Sequence, residues 1–389
     1  VIVGISHGRE IDSVITIADE HRHNVLRRSV ASAFSAHTAL DYEPHIDRTI
    51  NELLMALSKE RTLDLCQKMA FFGLDAASGF VFNSPKGCLA ANADAAGMIT
   101  VTRERMRHWS QWASIPVTER LLFRNPIALW MRRVPQSGIV SAALFKLNER
   151  TNKQKKQPQE HSETPDLLTH FLDAMERNPE TLDQAGVVSL LMSMIAAASD
   201  TSANVLTATM FYLMKNPRTL SKLQEELDAG NVSRPIPAIS QVNKLPYLHA
   251  VIREGLRLFP VLSHPIERLV PAGGVDIAGT FLPQGTSVGC LQLAIHLNTN
   301  AFGIDANIFR PERWLETSAE QLRIMEAAHL GFGRGRRVCI GQHIAMMEMK
   351  KAISAMILSF DVGHVLMSVS RYVEANAITD KFERPCRST

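Results

Sequence analysis

Apolar residues recur at three- and four-residue intervals through most of residues 20–230, as in Leu40, Ile46, Ile50, Leu53, Leu54 and Leu57 with polar positions between them. This is the period of amphipathic helices packed on a core. The longest such element starts at a capping-box pattern, Thr181 with Gln184 three residues on, and stops at Asn216-Pro217. A helix of that extent has about 34 residues and spans about 50 Å. One stretch breaks the pattern: residues 149–166, ERTNKQKKQPQEHSETPD, hold almost nothing apolar and read as a solvated loop. From Pro260 to about Gln292 the texture turns β-branched, punctuated by Gly and Pro, which predicts short strands and hairpins. The expected fold is mainly α with small β-sheets (α+β), without internal repeats.

Composition adds exclusions. With 46% hydrophobic and 21% charged residues in 389, the chain reads as globular and able to bury a large core. A formal net charge of +3 is too weak to hold nucleic acid by counterion release, so nucleic acid is not an expected partner. The five cysteines, Cys66, Cys88, Cys290, Cys339 and Cys386, are scattered without a C-x-x-C pair, which signals neither zinc nor a disulfide framework but reduced, mostly buried thiols. The longest apolar candidate, Val187 to Ala198, is interrupted by serines and falls short of the roughly 18 residues that a membrane span needs. The chain begins at Val1 with Arg9, Glu10 and Asp12 close behind, and reads as a processed or incomplete form of something longer.

Two positions carry candidate chemistry. Asp200, followed by Thr201, is the only charged residue between Asp183 and Lys215. A carboxylate in such a helix is costly unless it is paired or used, so it marks either a satisfied helix–helix contact or a functional site. The second is Cys339, at the end of Gly331-Phe332-Gly333-Arg334-Gly335-Arg336-Arg337-Val338 and ahead of a helix through Met346, Met349, Ile353 and Met356. A helix N-terminus and three arginines would lower a thiol pKa and favour thiolate, a ligand for a metal such as haem iron, with the arginines suited to porphyrin propionates. A lone cysteine near arginines is more often structural. Gly333-x-Gly335 lacks the third glycine of a dinucleotide-binding loop.

The segment FGRGRRVCIG resembles the haem-binding signature of the cytochrome P450 superfamily, F-x-x-G-x-x-x-C-x-G, at every fixed position. Ala197-Ala198-Ser199-Asp200-Thr201 resembles the oxygen-activation motif, Glu254-Gly255-Leu256-Arg257 the E-x-x-R motif, Phe309-Arg310-Pro311-Glu312-Arg313-Trp314 the P-E-R segment, and His23 to Arg27 the early helix that touches the haem. The four stronger motifs stand in the family's order. The resemblance implies a single catalytic domain over residues 1–389 with the cytochrome P450 fold, lacking the amino-terminal anchor and first elements, and haem b (iron protoporphyrin IX) as cofactor. Cys339 would be the axial iron ligand, with His23, Arg27, Ala197, Ala198, Arg268, Phe332, Arg337 and Gly341 around the haem. For Arg27 the alternative is a solvated helix charge. Glu254, Arg257 and Arg313 would form a buried structural network, although the first two alone mean little, since an exposed i,i+3 pair is worth only a few tenths of a kcal/mol.

Asp200 and Thr201 would deliver protons during oxygen activation. Met194, Ala197, Ala198, Val261 and Leu262 would line the substrate pocket, core packing being the other reading for Met194; the family usually has Gly where Ala198 stands. The implied activity is monooxygenation of a lipophilic small molecule by O2, hydroxylation or O-dealkylation, with electrons from NADPH through NADPH-cytochrome P450 reductase. A peroxygenase, isomerase or dehydratase, and a truncated haem-binding chain without activity, are the alternatives. The Phe309–Leu315 phrase and the Gln342-His343-Ile344-Ala345 run resemble fungal microsomal members, including those like pisatin demethylase. That implies secondary or xenobiotic metabolism and, for the full-length parent, the cytosolic face of the endoplasmic reticulum membrane.

Overall fold

The computed structural model describes residues 4–6, 9–11, 13–59, 63–112, 115–123, 125, 138–156, 164–262 and 264–361. Its principal helices are α1 (Glu20–Val30), α2 (Glu43–Ser58), α3 (Leu65–Phe82), α4 (Met98–Trp112), α5 (Gly138–Lys156), α6 (Leu167–Arg177), α7 (Gln184–Lys215), α8 (Pro217–Ala229), α9 (Pro246–Leu258) and α10 (Gln342–Ser359). Three antiparallel two-stranded sheets accompany them: β1 (Gly4–Ser6) with β2 (Arg9–Ile11), β3 (Arg268–Leu269) with β6 (Ser287–Val288), and β4 (Val275–Ile277) with β5 (Thr280–Leu282). The last two occupy the stretch whose texture predicts strands. The β1–β2 hairpin, in register Gly4 with Ile11, has no counterpart in the sequence reading.

Helices α3 and α7 form the centre. Apart from Cys66 and Gln67, every residue of α3 is buried, as expected of a helix that is apolar nearly all round. It packs more extensively on α7 than any other pair of elements does, with α2, α5, α9 and α10 added around them. The approach is close at Gly73, where a Cβ would meet the carbonyl oxygen of Ser199 at 2.0 Å, so only glycine fits.

Helix α7 has 32 residues, about 48 Å. Its cap is not the expected Thr181 but Asp183, whose carboxylate accepts from the Gly186 amide at 2.8 Å while its backbone stays extended. Asp183 stands immediately ahead of the first helical residue, where a side-chain oxygen reaches the orphan amide two positions into the helix. By length and composition α7 could cross a membrane, its best 18-residue window having a mean hydropathy of 1.3, but 56% of that window is buried inside the protein. It serves here as the core helix.

The polar stretch 149–166 is corrected in its first half, since Glu149 to Lys156 continue α5. Glu, Lys, Arg and Gln are good helix formers whatever their polarity, and Arg150 is anchored by Asp166 (2.6 Å) and Thr169 (2.7 Å). Asp166 is itself buried, at 1% exposure, as the cap of α6. The middle of the stretch lies outside the described residues. The thiols differ from expectation too: Cys88 is buried, Cys66 half-buried, Cys290 and Cys339 exposed, and Cys386 lies outside the described residues.

Candidate active site

The Cys339 loop is set by backbone geometry. Gly333 and Gly335 both sit at φ +72°, in the left-handed region that disfavours a Cβ. Between them and α10 the chain makes a short turn over Gly335–Arg337, and the Cys339 amide donates to Phe332 O at 2.9 Å, closing the loop on itself. Gly341 caps α10, so Cys339 stands just ahead of that helix's first turn.

The environment does not depress the thiol as the sequence suggests. Surrounding protein pushes the Cys339 pKa up, and the Gly341 amide and Arg27 offset this only in part. Arg336 and Arg337 lie within three residues in sequence yet are not among the groups that shift it. A bound metal cation would reverse the balance, since a coordinating thiol is deprotonated outright.

Arg337 points to the start of α1. Its Nε and Nη2 donate to Glu20 Oε1 at 3.0 and 2.7 Å, and its Nη1 to Ile17 O at 2.8 Å. One turn further along α1, His23 is fully buried and neither ring nitrogen has a hydrogen bond of ordinary geometry, although the Asn24 side chain lies beside it. Burial and the charge of Arg337 hold the His23 pKa below its usual value. Arg27, half-buried, has no hydrogen-bond acceptor among the described residues; burial lowers its pKa and the Cys339 sulfur acts against that. Electrostatic contact thus joins Glu20, His23, Arg27, Arg337 and Cys339 in one cluster.

Arg268 is not part of it. It is exposed in β3, and its Nη1 donates to the carbonyls of Glu267 (2.9 Å) and Ile266 (3.5 Å). Phe332 and Ile340 flank the thiol along the chain and lie half-buried against the main apolar core, as do Ala198 and Val261. Leu262 is 38% exposed, whereas Met194 belongs to the core itself.

On α7, Ala197, Ala198, Asp200 and Thr201 are half-buried between fully packed neighbours such as Ile195 and Ala203. Thr201 Oγ1 donates to Ala197 O at 2.7 Å, one turn back, leaving its oxygen lone pairs free to accept. Burial raises the Asp200 pKa, opposed by the charge of Arg103 on α4 and by a hydrogen bond from Asn204.

The structure also brings Glu254, Arg257 and Arg313 together. Glu254 accepts from Arg257 Nε (2.9 Å) and Nη2 (2.7 Å), from Arg313 Nε (2.8 Å), from the Trp314 indole (2.9 Å) and from the Arg310 amide (3.0 Å). All three ionic side chains are at most 2% exposed, and the remaining guanidinium donors go to carbonyls of His296, Ala306, Phe302, Asp305 and Ile308. Every charge in this buried set is paired or hydrogen-bonded, the condition under which ions are tolerated in a core.

A thiol with an open face, apolar half-buried neighbours, the buried His23 ring and the half-buried Arg27 guanidinium, which has no acceptor among the described residues, fit a flat apolar group that has an anionic edge and a metal accepting sulfur. That is the chemistry of an iron porphyrin. The comparisons agree: the chain belongs to the cytochrome P450 family, whose profile matches residues 2–368. It is 33% identical over 370 residues to a cytochrome P450 monooxygenase of Aspergillus terreus, covering 92% of this chain and 75% of the relative. It is 32% identical over 357 residues to cytochrome P450 monooxygenase pkfB of Emericella nidulans (90% of this chain, 70% of the relative) and 32% identical over 368 to mfmA of Annulohypoxylon moriforme (91% and 71%). The chain is therefore a cytochrome P450 monooxygenase, an oxidoreductase with a haem iron cofactor that works with O2, an organic substrate and a redox partner.

Glu20 and Gly73 escaped the sequence reading. The first looks like an ordinary acid in the first turn of a helix, and the partner of the second lies far along the chain.

Proposed function

We propose that this chain is a haem-thiolate monooxygenase that inserts one oxygen atom of O2 into a lipophilic small molecule, by hydroxylation or O-dealkylation, in fungal secondary or xenobiotic metabolism. Haem b is the cofactor, NADPH-cytochrome P450 reductase the electron source, and the cytosolic face of the endoplasmic reticulum membrane the site of action. The observation that carries this reading is the nearness of Cys339 to Arg27, on the helix that also holds the buried His23, whose ring nitrogens lack hydrogen bonds of ordinary geometry.

When bound, the haem supplies oxygen activation at its iron. Cys339 would hold that iron through its sulfur. His23 and Arg27 hold the anionic edge by charge-assisted hydrogen bonds, worth about twice neutral ones. Phe332 and Gly341 shape the loop beneath, and Arg337 fastens that loop to α1. Ala197 and Ala198 leave space over the site, which Val261 and Leu262 border with apolar surface; Met194 supports this wall from the core. Thr201 Oγ1 holds a proton position facing that space, and Asp200, whose pKa burial raises, moves protons to it from the α4 side where Arg103 lies. Glu254, Arg257 and Arg313 serve as framework. Arg268 has its guanidinium on local carbonyls and is left out of the haem set.

The reduced protein with carbon monoxide is expected to show the strongly red-shifted Soret band of thiolate ligation, and Cys339→Ser to lose it. An unshifted band in the unaltered chain would sink the reading. Oxidation supported by peroxide but not by NADPH and reductase would make it a peroxygenase.

A further inference from the structure

Glu20, His23 and Arg27 are spaced three and four residues apart on α1, which places them on one face of the helix. The structure turns that face toward the Cys339 loop: Arg337 and Glu20 both act electrostatically on His23, and the Cys339 sulfur acts on Arg27. Arg337 precedes Cys339 by two residues and grips the beginning of the helix on both sides of its Asp19 cap, at the Ile17 carbonyl and at the Glu20 carboxylate. The guanidinium is 17% exposed and the carboxylate 51%. Hydrogen bonding to Arg337 is the largest influence on Glu20 and lowers its pKa, which keeps it charged.

We propose that Glu20 is a positioning residue for the haem: by holding Arg337 to the first turn of α1, it locks the thiolate loop and the His23–Arg27 face into one unit that stands ready before haem arrives. The proposal rests on the haem-thiolate reading above and adds a residue to it.

Three physical points support it. The clamp is closed by protein groups alone, so the α1 face needs no cofactor to be seated. The two segments it joins are separated by more than three hundred residues, so without such a link their spacing would depend on packing elsewhere. The guanidinium has five N–H donors and uses three in the clamp, leaving two for an anion at the same edge. Glu20 thus fixes the direction in which Arg337 presents them.

The test uses the full chain with Glu20→Gln, Arg337→Ala and the double variant. Two readouts are taken: the rate of haem transfer from holoprotein to apomyoglobin, and amide hydrogen exchange of residues 20–30 in the apoprotein. Glu20→Gln is expected to speed haem loss about threefold to tenfold, the range of a partly exposed charged hydrogen bond, and to raise exchange across α1. The thiolate Soret band and melting temperature should hold. In the Arg337→Ala background, Glu20→Gln should have no further effect. Wild-type rates in Glu20→Gln, or additive effects in the double variant, would overturn the proposal while leaving the haem-thiolate reading intact. Absence of the thiolate band from the unaltered chain would overturn that reading, and the proposal with it.

Discussion

Gly73 on α3 faces the carbonyl oxygen of Ser199 on α7 so closely that an added Cβ would lie 2.0 Å from it and 3.0 Å from the Ala203 Cβ. The crossing point of the two central helices therefore falls beside Asp200 and Thr201. Because the obstructing atom is backbone, a methyl group here has to displace α7 rather than swing a side chain away. Gly73→Ala is expected to destabilise the fold by about 1–3 kcal/mol, despite the better helix propensity of alanine, and to shift ligand-induced haem spectra. Urea unfolding and a ligand titration measure both. Unchanged stability would mean that α3 and α7 are less tightly apposed.

Glu254 is the hub of the buried ionic set, accepting five hydrogen bonds from four residues. Removing it leaves the Arg257 guanidinium without a carboxylate inside the protein and Arg313 with the partly exposed Asp305 alone, at 3.1 Å. Changing Glu254, Arg257 or Arg313 to alanine is expected to cost about 3–5 kcal/mol each and to deplete soluble holoprotein. The double variant Glu254→Ala/Arg257→Ala should cost less than the sum of the singles, since each single leaves charges that the other removes. Full haem content and unaltered melting in all three single variants would show that the set carries no structural weight.

These particulars mark how far the sequence could be read. Helices with one apolar face, and the β-branched stretch near residues 268–288, are written in local periodicity. A wholly polar segment is not, because periodicity cannot tell a solvated helix from a loop; α5 runs through Glu149 to Lys156 on propensity and an ion pair to Asp166. The cap of α7 was misplaced by two residues because Thr181 and Asp183 are both competent caps and only backbone conformation chooses between them. At the site, residue types and spacing singled out Cys339 and Asp200, and the family resemblance named His23, Arg27 and the Glu254 set as candidates. They could not show that Arg337 grips Glu20, that Arg268 turns onto its own backbone, or that the surrounding protein outweighs Arg27 at the thiol, since all three depend on the folded arrangement.

Glu348 on α10 is 2% exposed, and its Oε1 has no hydrogen-bond partner. Burial raises its pKa to about 8, offset only in part by the Ser202 hydroxyl on α7. The folded protein then holds a proton that the unfolded chain releases near pH 4.3, the ordinary Glu value. Its contribution is complete below that pH and is lost as pH rises toward 8, with a slope of at most about 1.4 kcal/mol per pH unit. Glu348→Gln should flatten this part of the pH–stability curve and gain most over the parent at pH 8. Parallel curves from urea unfolding at pH 5, 6, 7 and 8 would place the proton elsewhere.

Thr201 gives its own hydroxyl proton to the Ala197 carbonyl and keeps its oxygen able to accept, while Asp200 next to it is held toward the protonated form by burial. On the proposed reading such a pair passes protons and neither holds iron nor anchors a substrate. Thr201→Ala should therefore retain haem and ligand-induced spectral shifts while product formed per NADPH consumed falls and hydrogen peroxide rises. Asp200→Asn should slow turnover by about 10²–10⁴, the usual worth of a proton-transfer group. It should also remove whatever part of the pH–rate profile the carboxyl sets. Stopped-flow substrate binding, NADPH consumption and peroxide assays separate the steps. If Thr201→Ala kept its coupling but lost substrate affinity, the hydroxyl would be a wall of the pocket, and proton delivery would have to run through Asp200 by another route.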